Sequence, residues 1–223
     1  MLSWVPLVYM LAVMAYAGFL DVRSREIPPR YWFVVLVLGL PITIIANGGD
    51  LRILLLYQLL SLIVVIPSYV MYRACMLGGA DVLAFLTIAI LTPLAPGSII
   101  PLLYLAVLYA TIPAIAYHLY SASLACKGLS PRCMFKFKFM IKVRSILEDP
   151  KFKWWLVEVK GGCSIEEDPR MLALKAGQGD PEAYVVASPG HPYVAHLTIG
   201  YLLAMVIGDK PVIGLVLALA QFL

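Results

Sequence analysis

Two aspartates carry the chemistry that this sequence is able to do. Asp21 closes the first apolar run, Met1 to Leu20, and Asp81 opens another, since nothing from Val82 to Cys126 is formally charged. A carboxylate at the edge of such a run is costly if it enters hydrocarbon. Two carboxyls within hydrogen-bond reach cannot both ionise cheaply, so they share a proton and titrate as a unit. In an aspartyl protease one of them deprotonates water while the other, protonated, polarises the scissile carbonyl. No metal is needed. Gly78 and Gly79, just before Asp81, would let the backbone bend and a substrate strand approach closely. Arg23 and Arg25 are poor direct partners for a general acid, because an ion pair favours the ionised carboxylate; they are expected to face headgroups or acidic loop residues. Spacing alone also allows plainer roles, a helix cap for Asp81 and an interface position for Asp21.

The elements that must position these carboxylates are membrane helices. Of 223 residues, 62% are hydrophobic and 13% charged, against roughly 25% charged in an ordinary soluble domain. Apolar runs long enough to span predict an all-α polytopic membrane protein with six transmembrane helices: 1–20, 31–49, 53–71, 81–94, 98–120 and 183–208. The first is expected to be a retained helix, because it has no basic leader and ends in Asp21 and Arg23. The final thirteen residues are too few to cross and read as a half-helix packed on the bundle. Three parts follow: helices one to five over 1–120, a small α+β insertion over 121–182, and the sixth helix with its tail over 183–223.

Charge orients the whole. The segments 21–30, 72–81 and 121–182 hold fifteen of the seventeen Lys and Arg, eleven of them in the last. The positive-inside rule therefore puts the N-terminus outside and the insertion in the cytoplasm, with Asp21 and Asp81 on that same side. Within the insertion, Phe135 to Arg144 alternates apolar and basic residues, the period of a strand with one covered face. A second strand is expected over 151–159 and a short helix over 169–176. The basic face suits either solvent or anionic headgroups. Eight acidic residues share the loop and no nucleic-acid module is recognisable, so no nucleic-acid partner is expected. Cys75, Cys126, Cys133 and Cys163 form no C-x-x-C pair and read as small apolar residues or thiols. His191 and His196 do not make a reliable metal pair, so no metal and no cofactor is expected. Gln58 is expected to bind a facing helix, and Trp154-Trp155 to build the small core of the insertion.

Asp21-Val22-Arg23-Ser24-Arg25-Glu26-Ile27-Pro28 resembles the signature following the first aspartate of the type IV prepilin peptidases, in particular their archaeal preflagellin (archaellin) branch. Gly78-Gly79-Ala80-Asp81 resembles the Gly-x-Gly-Asp motif around the second, with Ala80 in place of a glycine. Ala187 to Tyr193 is similar to the proline-containing approach to the last helix. The resemblance implies catalysis by Asp21 and Asp81, supported by Gly78, Gly79, Ala80, Arg25 and Pro28. It implies cleavage at the cytoplasmic face of the bilayer, where short basic leaders are removed from preflagellin- or prepilin-like subunits of an archaellum or type IV pilus. Lack of paired C-x-x-C motifs argues against the N-methylation that accompanies cleavage in bacterial relatives. Gly190 and Pro192 are candidates for a substrate gate, and Glu26, Glu166, Glu167 and Asp168 for reading the leader. The alternative is a non-catalytic membrane scaffold or small transporter, which would want a carboxylate in mid-membrane rather than at helix ends.

Overall fold

The computed structural model describes residues 4–48, 51–73, 77–126, 133, 136, 138–152, 155–157 and 169–220. They form two compact units, Met1–Pro113 with Pro192–Leu223, and Ala114–His191.

The first unit is helical. Its elements are α1 (Trp4–Ser24), α2 (Pro29–Ala46), α3 (Leu51–Arg73), α4 (Gly79–Leu91), the first half of α5 (Leu102–Ala125), α8 (Tyr193–Ile207) and α9 (Lys210–Ala220). Among the described residues four helices, α1, α2, α3 and α5, are long and apolar enough to cross a membrane. Their outward faces are apolar too, with Phe33, Ile45 and Leu59 exposed. In water such a surface would drive association; around a bundle of this kind it is a lipid-facing surface. The chain is thus a polytopic membrane protein.

Two of the expected crossings differ. α4 has thirteen residues, about 20 Å of helix against a hydrocarbon core of about 30 Å. The uncharged run 183–208 is divided: residues 184–189 form a strand and only Tyr193–Ile207 is helical. Together α8 and α9 make a pair bent by 79°. The bend has a local cause. Gly208 takes φ +70, which glycine adopts at no steric cost. The buried Asp209 carboxylate then accepts hydrogen bonds from Ser98 Oγ (2.9 Å) and the Ile99 amide (2.7 Å), pinning the corner to the turn before α5.

Between helices the polar contacts run almost entirely from side chains to backbone carbonyls. Tyr9 and Tyr31 on α1 and α2 reach Val35 and Val13. Thr43 on α2 and Gln58 on α3 donate to Leu91 and Ile90 at the end of α4 (2.9 and 2.7 Å), so Gln58 does bind a facing helix. Thr198 and Tyr201 on α8 reach Met14 and Leu7 on α1. Each bond satisfies a donor that hydrocarbon could not. Small residues set the closest approaches. A Cβ on Gly200 of α8 would collide with the Ala106 carbonyl and come within 2.6 Å of the Ala110 amide nitrogen on α5.

The second unit carries a three-stranded antiparallel sheet of order β1-β3-β2, with β1 at Phe139–Lys142, β2 at Trp155–Val157 and β3 at Tyr184–Pro189. Two short helices accompany it, α6 (Val143–Glu148) and α7 (Pro169–Ala176). Phe139, Ile141, Val143, Trp155, Val185 and Ala187 pack with Ala122 and Cys126 as its core. The alternation seen in the sequence therefore holds over β1, and Trp155 is a core residue; Trp154 lies outside the described residues. β3 hides in an uncharged run because it is the central strand. Its Val185, Ala187 and Pro189 are buried while Tyr184 is exposed. One cysteine expectation is overturned: Cys126 and Cys133 form a disulfide, with Cα atoms 5.8 Å apart, within bridging range. Cys75 and Cys163 lie outside the described residues.

The Gly200 contact predicts a sharp pair of outcomes. Gly200→Ala should lose about 1–3 kcal/mol through overpacking against α5. Gly214→Ala on α9, with nothing within 4 Å of the added carbon, should be neutral or gain up to about 1 kcal/mol in helix propensity. Thermal unfolding in detergent reads both.

Candidate active site

Asp21 lies within the last turn of α1, not beyond it. It continues the buried seam of Leu7, Met10, Met14 and Ala17, residues three or four apart on one helix face. That seam packs against α8. A Cβ on Gly18 would sit 2.8 Å from Thr198 Oγ1 and 3.2 Å from Ala195 Cα, so the two helices touch here nearly backbone to backbone. The result is a carboxylate at a helix N-terminus. Asp21 Oδ2 accepts the Ala195 amide of the first turn of α8 at 3.2 Å, and the Val194 amide faces the same group. Pro192 precedes that turn and supplies no side-chain cap. The Asp21 carboxylate serves instead, at the end of a helix where the macrodipole favours negative charge.

Asp81 is held differently. It is the third residue of α4, half-buried, and its Oδ2 accepts the Gly78 amide at 2.9 Å, the acid half of a capping box. Asp81 thus does cap α4, from its third position and not as the N-cap residue, which is Gly78. Gly78 is extended at φ −76 and ψ 153, and no residue from 78 to 80 has positive φ. The glycine pair does not make a left-handed bend, and Ala80 in the motif costs no backbone strain. What Gly78 provides is bareness: an added Cβ would lie 3.2 Å from Asp81 Oδ2.

Asp21, Asp81 and Arg25 lie within electrostatic reach of one another. Arg25 follows α1 with φ +60, its amide closing the helix on the Asp21 carbonyl at 3.2 Å. Its Nε and Nη1 are buried. Arg23 by contrast points outward, its guanidinium 6.0 Å from the Phe19 ring. His196 of α8 is buried and within reach of Arg25. Tyr193 packs edge-on against Phe85 of α4 and lies within reach of Asp81.

The remaining candidates scatter. Glu26 and Pro28 are exposed, and Pro28 caps α2. Gly190 follows β3, where its carbonyl accepts the Tyr117 hydroxyl at 3.3 Å; Pro192 is buried at the start of α8. Glu166, Glu167 and Asp168 lie outside the described residues. His191 stacks on His118 in the second unit. Among the described residues no three His, Cys, Asp or Glu side chains gather in a way that would hold a metal ion. Sequence reasoning weighed His196 only as half of a metal pair with His191, and gave no role to Tyr193 or to the α8 amides. The signal for the last was Pro192 opening an apolar helix, a start with no side chain to cap it.

A family profile described as the type IV leader peptidase family matches residues 8–119, a stretch containing Asp21, Arg25, Gly78 and Asp81. No curated protein and no solved structure matches the chain.

Asp21→Ala leaves the first-turn amides of α8 without their acceptor and should cost about 1–3 kcal/mol. Asp21→Asn retains a carbonyl oxygen at that position and should cost less. Comparing the unfolding temperatures of the two variants checks whether the carboxylate carries α8.

Proposed function

The chain belongs to the type IV leader peptidase family, and from that premise we propose that it is a membrane aspartyl endopeptidase using Asp21 and Asp81. The observation that carries this reading is that one helix turn links the two carboxylates, which lie 60 positions apart in the sequence: Asp21 accepts the Ala195 amide of α8, and Tyr193 of that turn packs on Phe85 of α4, four residues past Asp81. Neither has a helical reason to be near the other.

In the proposed reaction a water lies between the carboxyls. The ionised one takes its proton while the protonated one donates to the scissile carbonyl oxygen. The tetrahedral intermediate collapses when the amide nitrogen receives a proton and leaves as the amine. Gly78 keeps the approach to Asp81 clear. α4 and α8, although short, complete a six-helix membrane domain around this centre.

The substrates are preflagellin- or prepilin-like subunits, each a short basic leader followed by an apolar helix. Apolar packing supplies the affinity for that helix. Glu26, Glu166, Glu167 and Asp168 are the acidic groups proposed to read the leader, and Gly190 and Pro192 the proposed gate. Cleavage proceeds without N-methylation. The N-terminus lies outside and the centre faces the cytoplasm, the orientation that the distribution of Lys and Arg supports. The Cys126–Cys133 disulfide pulls the other way, since disulfides are rare in reducing compartments outside hyperthermophiles. The cytoplasmic placement is supported by the short segments, where Arg23, Arg25, Arg30 and Arg73 lie on the side of the aspartates and Arg52 and Lys210 on the other.

Two experiments test the reading. Purified protein given a test substrate with a basic leader and an apolar helix should make one cut at their boundary, read by fragment mass. Asp21→Asn and Asp81→Asn should each abolish the cut while retaining the fold, and normal processing by either would remove that residue from the mechanism. In intact cells an impermeant amine reagent should leave Lys136 and Lys138 unmodified; modification would reverse the orientation.

A further inference from the structure

We propose that Arg25 is a positioning residue of the two-aspartate centre, the countercharge that holds Asp21 and Asp81 in their working arrangement. The inference rests on the peptidase reading of the site and extends it to a residue that touches neither water nor the scissile bond in that mechanism.

The starting observation is a backbone conformation. Arg25 has φ +60, the left-handed region that residues with a Cβ rarely occupy. It closes α1 from the position where helices usually place glycine, through its amide on the Asp21 carbonyl. Glycine would do that job without strain, so closing the helix does not explain an arginine. Strain kept at a residue beside a site is evidence that its side chain is wanted there.

Side-chain placement supplies the reason. Arg25 is half-buried, with Nε and Nη1 of its guanidinium fully buried. It lies within electrostatic reach of Asp21, Asp81 and His196. A working pair of aspartates shares one proton and so carries one negative charge. Buried charge without a counterion is strongly destabilising. Arginine is suited to balance it, because its charge is delocalised over a rigid plane and is never lost. A cation shared by both carboxylates need not commit either of them to a bidentate pair. The other two charged neighbours in the sequence, Arg23 and Glu26, are exposed.

The test uses full-length protein in detergent and has two readouts. In the first, cleavage of the basic-leader substrate is measured for Arg25→Gly, Arg25→Gln and Arg25→Lys. Arg25→Gly and Arg25→Gln should lower kcat by roughly 10²-fold, the scale of an error in placing reacting groups, with KM little changed. Arg25→Lys, which keeps the charge, should recover much of that loss. Cleavage at the wild-type rate by the Gly and Gln variants would overturn the proposal.

The second readout needs no activity. Arg25→Gly is made in the wild type and in the Asp21→Asn/Asp81→Asn double variant, and Tm is measured for each. Relief of the backbone is common to both backgrounds, whereas loss of the countercharge matters only where the carboxylates remain. Arg25→Gly should therefore raise Tm more in the double variant than in the wild type. Equal shifts in the two backgrounds would make Arg25 a helix end and nothing more. If the wild type itself makes no cut, the peptidase reading fails, and the Tm comparison still decides whether Arg25 and the aspartates are coupled.

Discussion

The hydrogen bond from the Ala195 amide to Asp21 joins positions 174 residues apart, and the geometry of the candidate centre depends on it. In a hydrocarbon surrounding, the first turn of a helix has amides with no water to take them, and a carboxylate has no water to solvate it. Each group meets the other's need. α8 begins after a proline with no cap of its own, and α1 ends in an acid that a lipid would reject. The bond is possible only because Gly18 lets α1 and α8 approach so closely that any Cβ would press on Thr198. The Thr198 hydroxyl then adds a bond of 2.8 Å to the Met14 carbonyl in the same seam. A change in that seam would move Asp21 without touching it.

Asp81 answers to a different constraint. Its carboxylate is fixed by Gly78, three residues away, and it moves with α4 as a rigid body. The far end of α4 is tied by Thr43 and Gln58 to two neighbouring helices. A short helix tied at its C-terminal end and packed along α2 and α3 has little freedom to tilt. The Asp21 carboxylate is therefore bonded to an amide of another helix, and the Asp81 carboxylate to the amide that opens its own.

Much of this was legible in the sequence, for physical reasons that can be traced. Long uncharged runs fix α1, α2, α3 and α5 because only length and apolarity matter for them. The helix at Pro169–Ala176 follows from a proline start, and the period-two stretch at Phe139–Lys142 from one covered face. Beyond that, tertiary context decided. β3 is covered by strands on both edges and carries no charge, so it reads like membrane helix. Gly208 looks like an ordinary glycine until Asp209 is seen binding the Ser98 turn. Arg25 reads as a headgroup ligand because linear sequence cannot show that its Nε and Nη1 are buried. The disulfide joins cysteines whose spacing matches no motif.

The family match ends at residue 119, yet the amide that holds Asp21 belongs to Ala195. A contact that positions the first aspartate therefore comes from outside the matched stretch, after an insertion with its own sheet and core. Such an insertion is tolerable on entropic grounds, since each doubling of a connecting segment adds only about 0.6 kcal/mol of closure cost. An insertion that folds on a core of its own reduces even that, because its ends are held by structure rather than by chance. The demand on residues 120–192 is accordingly narrow. They must return the first turn of α8 to Asp21, and how they do so is free to vary in length and content while the aspartate keeps its acceptor role.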